Sequence, residues 1–207
     1  MGQSGSGPRG SYAKGVAKRE EILARALEVI AREGYRRTSV KELADASGLS
    51  QAGILHYFDS KDELFTEILR KRDEMDAARL GPLGDDVDLA RLREGYVAIV
   101  RHNSEVPGLV ELFSRTAVEA ADPQHPAHRY FLERGARLRG IAVPAIARAQ
   151  EEGRISADID PEALARIVQA VADGLQLQFL LDPSVDMAGI VDALFRALAP
   201  PGPDSRP

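Results

Sequence analysis

Between Thr38 and Lys61 the chain gathers side chains whose chemistry is recognition rather than turnover. The amide of Gln51 can pair bidentately with adenine, Ala52 and Leu55 can meet thymine methyls, and His56 can donate to a base or a phosphate. Around them stand the groups that hold phosphate oxygens: the hydroxyls of Thr38, Ser39, Ser50 and Tyr57, and the ammonium of Lys61. The lesser alternative is that Gln51 and His56 are solvated residues of a short helix, and Thr38 and Ser39 can act as caps, a role compatible with holding phosphate. Arg36 and Arg37 flank the segment and fit either a phosphate contact or plain solvation.

A second set of polar residues interrupts apolar helical stripes farther along. Tyr96 and Asn103 share a face with Leu92 and Ile99. Phe113 and Thr116 follow, Arg134 falls among Phe131, Leu138 and Ile141, and Gln176 neighbours Phe179. A mostly apolar lining with a few placed polar groups is what a small organic ligand requires. Tyr96, Asn103, Phe113, Thr116, Arg134, Gln176 and Phe179 are therefore candidate ligand contacts, although each could make an internal hydrogen bond instead. The ligand itself is not identified by these residues.

Other chemistries find little support. The chain has no cysteine, which removes disulfides, thiolate metal sites and cysteine nucleophiles. Asp122, His125 and His128 are loosely spaced around Pro126 with no fourth ligand, so no metal is expected, and His102 has no assigned role. No serine, histidine and acid arrangement and no glycine-rich phosphate loop is visible. An enzyme acting through scattered carboxylates is the weaker alternative, and no cofactor is expected.

The elements that must position these groups are helices. Ala, Leu, Arg and Glu recur, and runs of β-branched and aromatic residues are missing. A first helix is expected from Ala17 to Glu33, with Ile22, Leu23, Ala26, Leu27 and Ile30 on one face and Gly34 as its stop. Ser39 and Glu42 form a capping box that opens a short helix near Val40. Ser47 and Gly48 end that helix, and Ser50 caps another from Gln51 to Tyr57, whose Ile54 points inward with Phe58. Ser60 and Glu63 form a second box opening a helix from Lys61 to Arg79. Two short helices joined by a glycine-containing turn make a helix-turn-helix. Its second helix would lie in the major groove.

Beyond a loop at residues 81–86, five more helices are expected: Leu89 to Asn103, Pro107 to Ala121, Ala127 to Glu152 with a kink at Pro144, Pro161 to Leu181, and Met187 to Leu198. The fold class is thus all-α with about nine helices. A basic disordered arm (1–15) precedes a three-helix DNA-binding domain (16–61). An effector-binding and dimerisation domain (62–199) and a disordered tail (200–207) complete the chain.

Net charge is −5 over 207 residues, but residues 1–61 carry +3 and the remainder −8. Only the first part suits an approach to phosphates. No apolar run reaches the roughly 18 residues of a membrane span, and the first ten residues lack a signal-peptide core, so a cytoplasmic location is expected.

One reading head contacts too few bases to select a genomic site, so a homodimer is expected. The last helix offers Met187, Ile190, Val191, Leu194, Phe195 and Leu198, and the helix before it Leu175, as the dimer interface. That preceding helix also carries Ala163, Ala170, Leu177 and Leu181 on other sides. The alternative is that the last helix closes its own core.

From Ala17 to Leu69 the sequence resembles the TetR family of bacterial one-component regulators. The resemblance is carried by Thr38, Ser39, Val40 and Ala44, by the turn Gly48, Leu49 and Ser50, by His56, Tyr57 and Phe58, and by Ser60, Lys61, Asp62, Glu63 and Leu64. Leu55 stands where many members have Tyr, and Ala52 where they have Gly or Pro, so an operator sequence does not carry over. The resemblance implies a homodimer on a pseudo-palindromic double-stranded operator, commonly a repressor, released by a small-molecule effector. A DNA-binding regulator without an effector is the alternative.

Overall fold

The computed structural model describes residues 8–81 and 87–198, with side chains in the first segment from Tyr12 onward. Residues 1–7 of the expected arm, most of the loop at 81–86 and the tail at 200–207 lie outside the described residues. Within them, nine α-helices and one 3-10 turn at Tyr35–Arg37 form the regular structure. The helices are α1 (Pro8–Glu33), α2 (Val40–Ala46), α3 (Gln51–Ile54), α4 (Lys61–Leu80), α5 (Leu89–Glu105), α6 (Pro107–Glu119), α7 (Ala127–Glu151), α8 (Pro161–Leu181) and α9 (Met187–Ala197).

Two boundaries differ from expectation. The first helix starts at Pro8 rather than Ala17, so residues 8–15 are helical and not a disordered arm. Proline at the first helical position has its φ already set, and the helix runs on through Gly10 and Gly15. Conversely, α3 stops at Ile54, with Leu55 as its C-cap, instead of continuing to Tyr57. One turn is enough here because tertiary packing of Ile54 and Phe58, both essentially inaccessible, holds the segment.

Most helix starts follow the side-chain caps. Ser39 accepts from the Glu42 amide while the Glu42 carboxylate accepts from the Ser39 amide, completing the expected box. At α4 the box is not reciprocal. Ser60 Oγ accepts from the Glu63 amide at 3.0 Å, but the Glu63 carboxylate turns to the amide of Asp59. Asp88, Asp160 and Asp186 cap α5, α8 and α9. Helix α7 runs through Pro144, which is exposed; the Gly140 carbonyl left without its usual donor is on that exposed side.

One hydrophobic core joins α1, α2, α3 and α4 to Leu109, Leu112 and Phe113 of α6 and to Tyr130 of α7. A second lies among α5, α7, α8 and α9 around Val100, Val168, Leu175, Met187 and Val191. The first core therefore extends past residue 61, and α6 binds the reading domain to the helices behind it. Gly108 at the start of α6 makes this possible. A Cβ there would collide with the carbonyl of Ile30 and come within 2.8 Å of Gly34 Cα.

Candidate nucleic-acid interface and effector cavity

Gly34 ends α1 with φ 83°, and Gly48 turns the chain between α2 and α3 with φ 66°, conformations that favour glycine. The second of these turns sets the angle between the two short helices. Leu43, Ala44, Ile54 and Phe58 are buried, which rolls α3 so that Gln51, Ala52, Leu55 and His56 are exposed. Lys61 is also exposed, its ammonium 5.6 Å from the Phe65 ring centre, and Tyr57 is half-buried beside His56. These residues come together on one side of α3 and the start of α4.

The hydroxyl residues divide. Ser50 Oγ accepts from the Gly53 amide at 3.0 Å and keeps its own proton to donate outward. Ser39 is exposed and does the same from its capping box. Thr38 is buried, and its hydroxyl donates to the Gly34 carbonyl at 2.8 Å. Its place in the candidate set is corrected accordingly: it closes the turn after α1. Arg36 is likewise engaged, pairing through Nε with Glu111 of α6 at 2.7 Å, whereas Arg37 is exposed.

Arg19 of α1 is a positioning residue. Its guanidinium lies 4.3 Å from the Phe58 ring centre and donates to the Tyr57 carbonyl, while Nη2 meets Glu63 at 3.3 Å and Glu67 at 3.2 Å. Helix α1 thereby fastens the segment following α3 to α4. Lys18 is similarly used, donating to the Ser47 carbonyl at 3.2 Å.

Behind this domain a cavity of about 490 Å3 lies among α4, α5, α7, α8 and α9. Tyr96, Asn103 and Arg134 line it, as their place in apolar stripes suggested. Burial, reinforced by Asp173, pushes the Tyr96 hydroxyl up to about 12, so it stays a neutral donor. Phe113, Thr116, Gln176 and Phe179 do not line the cavity. Phe113 supports it from outside the lining, with the guanidinium carbons of Arg72 and Arg134 at 4.8 and 4.9 Å from its ring centre. Thr116 donates to the Leu112 carbonyl, Gln176 is buried beside Asp173, and Phe179 belongs to the second core.

Sequence reasoning missed the charged wall contributed by α4. Arg72, Asp73 and Asp76 all line the cavity, and Arg72 and Asp76 are buried. Asp73 is a hub: Oδ2 accepts from Tyr130 at 2.8 Å, Arg134 at 3.0 Å and Arg137 at 3.3 Å, and Oδ1 from Arg72 at 3.1 Å. Burial works to raise its carboxyl, but Arg134 and Arg72 outweigh burial and hold it below the usual range. Asp76 goes the other way, pushed up because burial exceeds the help of Arg72. The available signal was register: Phe65, Leu69, Arg72 and Asp76 recur at spacings of three and four, so both charges continue the inward stripe.

The proposed dimer residues need a larger correction. Leu175, Met187, Val191 and Phe195 are buried in the chain's own second core, and Leu194 and Leu198 pack partly against it. Ile190 keeps a substantially exposed side chain. Through the buried residues helix α9 packs on its own domain, and Ile190 is left on its outer side. His125 Nδ1 accepts from the Ala127 amide and His128 Nδ1 meets the Ala120 carbonyl, so the two imidazoles serve the turn before α7.

Comparison with known proteins agrees with this architecture. Residues 22–68 match the sequence profile of bacterial regulatory proteins of the tetR family, and residues 109–200 that of the BetI-type transcriptional repressor C-terminal domain. The HTH-type transcriptional repressor AcnR of Corynebacterium efficiens is 28% identical over 165 residues, covering 78% of this chain and 81% of its own. The repressor KstR2 of Mycobacterium tuberculosis is 27% identical, covering 74% and 76%. Among solved structures, a regulator from Saccharomonospora viridis in complex with choline aligns at TM-score 0.63 and 25% identity over 88% of this chain and 95% of that one. A TetR-family regulator from Agrobacterium tumefaciens aligns at TM-score 0.70 and 20% identity, covering 89% and 99%. With its reading domain and its helical partner domain both matched, the chain belongs to the tetR family of bacterial regulatory proteins and is a DNA-binding transcriptional regulator.

Proposed function

We propose that the chain is an effector-controlled repressor in which two copies place their α3 helices in successive major grooves of a pseudo-palindromic operator. The observation that carries the reading is the exposure of Gln51, Ala52, Leu55 and His56 on a helix whose opposite side is locked by Ile54 and Phe58. Gln51 and His56 read base edges, Ala52 and Leu55 meet thymine methyls, and Ser39, Ser50, Tyr57 and Lys61 hold phosphates.

A stripe on α8 supports pairing of two copies. Ala163, Ile167, Ala170, Leu177 and Leu181 are exposed at helical spacing, with Leu181 88% accessible. Ile190 of α9 lies at 43% exposure. Two such pairs of helices packed across a two-fold axis form a four-helix interface that spaces the reading heads. The effector occupies the cavity, and α4 carries the signal, since it lines that cavity with Arg72, Asp73 and Asp76 and begins at Lys61 beside α3.

Selection of bound sequences from a random duplex pool tests the reading. An enriched inverted repeat with a fixed half-site spacing supports it. Enrichment of a single unrepeated site, or of no sequence, contradicts it.

A further inference from the structure

The cavity's electrostatics identify the kind of ligand it takes. Arg72 lines the cavity and is 6% exposed, and its Nε and Nη1 are buried with no hydrogen-bond partner. A guanidinium taken out of water with two nitrogens unpaired is costly, and the Phe113 ring 4.8 Å away offsets part of that cost without offering a hydrogen-bond acceptor. Asp73 does not remove the rest, because its carboxylate is divided among Arg72, Arg134, Arg137 and Tyr130. Three arginines therefore share one fully engaged carboxylate. Asp76 also lines the cavity, and its ion-pair partner is the half-exposed Arg79, 3.7 Å away. Asp173 interacts with Arg134 but is not part of the lining. The rest of the lining is hydrocarbon, including Leu80, Leu92, Ile99, Leu138, Ile141 and Val168.

We propose that the effector is an amphipathic monoanion, a hydrocarbon body ending in a carboxylate, whose head meets the excess of guanidinium over carboxylate on the lining, where Arg72, Arg134 and Arg137 stand against Asp73 and Asp76. The proposal rests on the reading of the chain as an effector-controlled regulator and names the chemistry of its ligand. The hydrocarbon body lies along the aliphatic wall between α5 and α7. At about 30 Å3 per water-sized unit the cavity holds a ligand of roughly ten to fifteen non-hydrogen atoms, the size of a medium-chain or arylalkyl acid. The carboxylate accepts charge-assisted hydrogen bonds from guanidinium groups of the lining.

Calorimetric titration of the full chain with octanoate, 1-octanol and octyltrimethylammonium separates head-group chemistry at constant tail. The expected order places octanoate at least about tenfold tighter than the alcohol, with the ammonium weakest. The preference for octanoate over octanol should disappear in Arg72→Gln. Because Arg72 is buried and its replacement can loosen the core, the ranking on the unsubstituted chain is decisive alone. Equal affinity for all three, tighter binding of the ammonium, or no binding of octanoate overturns the proposal. Operator affinity of the ligand-free chain, measured in parallel, tests the regulator reading by itself. DNA binding with no carboxylate preference removes the ligand class and leaves that reading standing.

Discussion

Asp73 of α4 accepts a hydrogen bond from Nε of Arg134 on α7 at 3.0 Å, and the same oxygen accepts from the Tyr130 hydroxyl at 2.8 Å. The helix that leaves the reading domain is thereby tied to the helix that forms the far wall of the cavity. Arg19 ties the other end of α4 to α1 and to the chain just after α3. Helix α4 is therefore anchored both at the cavity and beside the segment that follows α3.

Replacing Asp73 by Asn should lower stability by on the order of 3 kcal/mol at neutral pH, since it leaves buried guanidinium groups undercompensated. It should also flatten the acid limb of unfolding. The Asp73 carboxyl lies below its usual range in the folded chain. The stability it contributes is complete above the unfolded value of about 4 and is lost as pH falls through the folded value. Asp76 and Asp173, raised by burial, act in the opposite direction and remain in the variant. Thermal unfolding of both proteins between pH 3 and pH 7, on the order of one unit apart, should give curves that converge on acidification. Parallel curves would contradict the assignment.

Gly108→Ala should destabilise the chain by about 1–3 kcal/mol, because the added methyl is driven against the Ile30 carbonyl and Gly34 Cα. An unchanged midpoint in denaturant titration would mean that α6 can shift away from α1 without cost. Operator affinity should fall with stability in this variant, since Arg36, in the turn that follows α1, pairs with Glu111 of α6.

Leu177→Asp should convert a dimer into a monomer, as its side chain is 52% exposed on the apolar stripe of α8. Burying a carboxylate across the two-fold axis costs more than the leucine contact contributes. Sedimentation at micromolar concentration reads the result, and a variant that stays dimeric places the interface elsewhere.

Lys61→Ala should weaken binding to every DNA sequence alike and reduce the salt dependence of affinity by about one ion per subunit. The side chain is exposed at the first position of α4. Anisotropy titrations at several salt concentrations test this, and an unaltered slope would remove Lys61 from the phosphate contacts.

How much of this was readable beforehand differed by element. The caps at Ser39, Ser50, Asp160 and Pro161 and the turn at Gly48 are local devices, since each satisfies amides or adopts backbone angles within a few residues, and they placed the starts of α2, α3 and α8 correctly. The expected length of α3 was too great because its stability comes from packing against other helices rather than from its own turn. The cavity was half legible. Tyr96, Asn103 and Arg134 interrupt apolar stripes, but Arg72 and Asp76 sit in so charged a stretch that composition disguised their inward register. Phe179 and Met187 mark the remaining gap, for an apolar stripe shows that a helix face is buried without saying whether its own chain or a second copy buries it.

The central claim is that the exposed side of α3 reads base edges. It is tested most directly by repeating the random-pool selection with a Gln51→Ala, His56→Ala double variant. The account predicts that the inverted repeat and its spacing persist while preference relaxes at symmetry-related positions in each half-site. An unchanged selected sequence, with the same preference at every position, would contradict it.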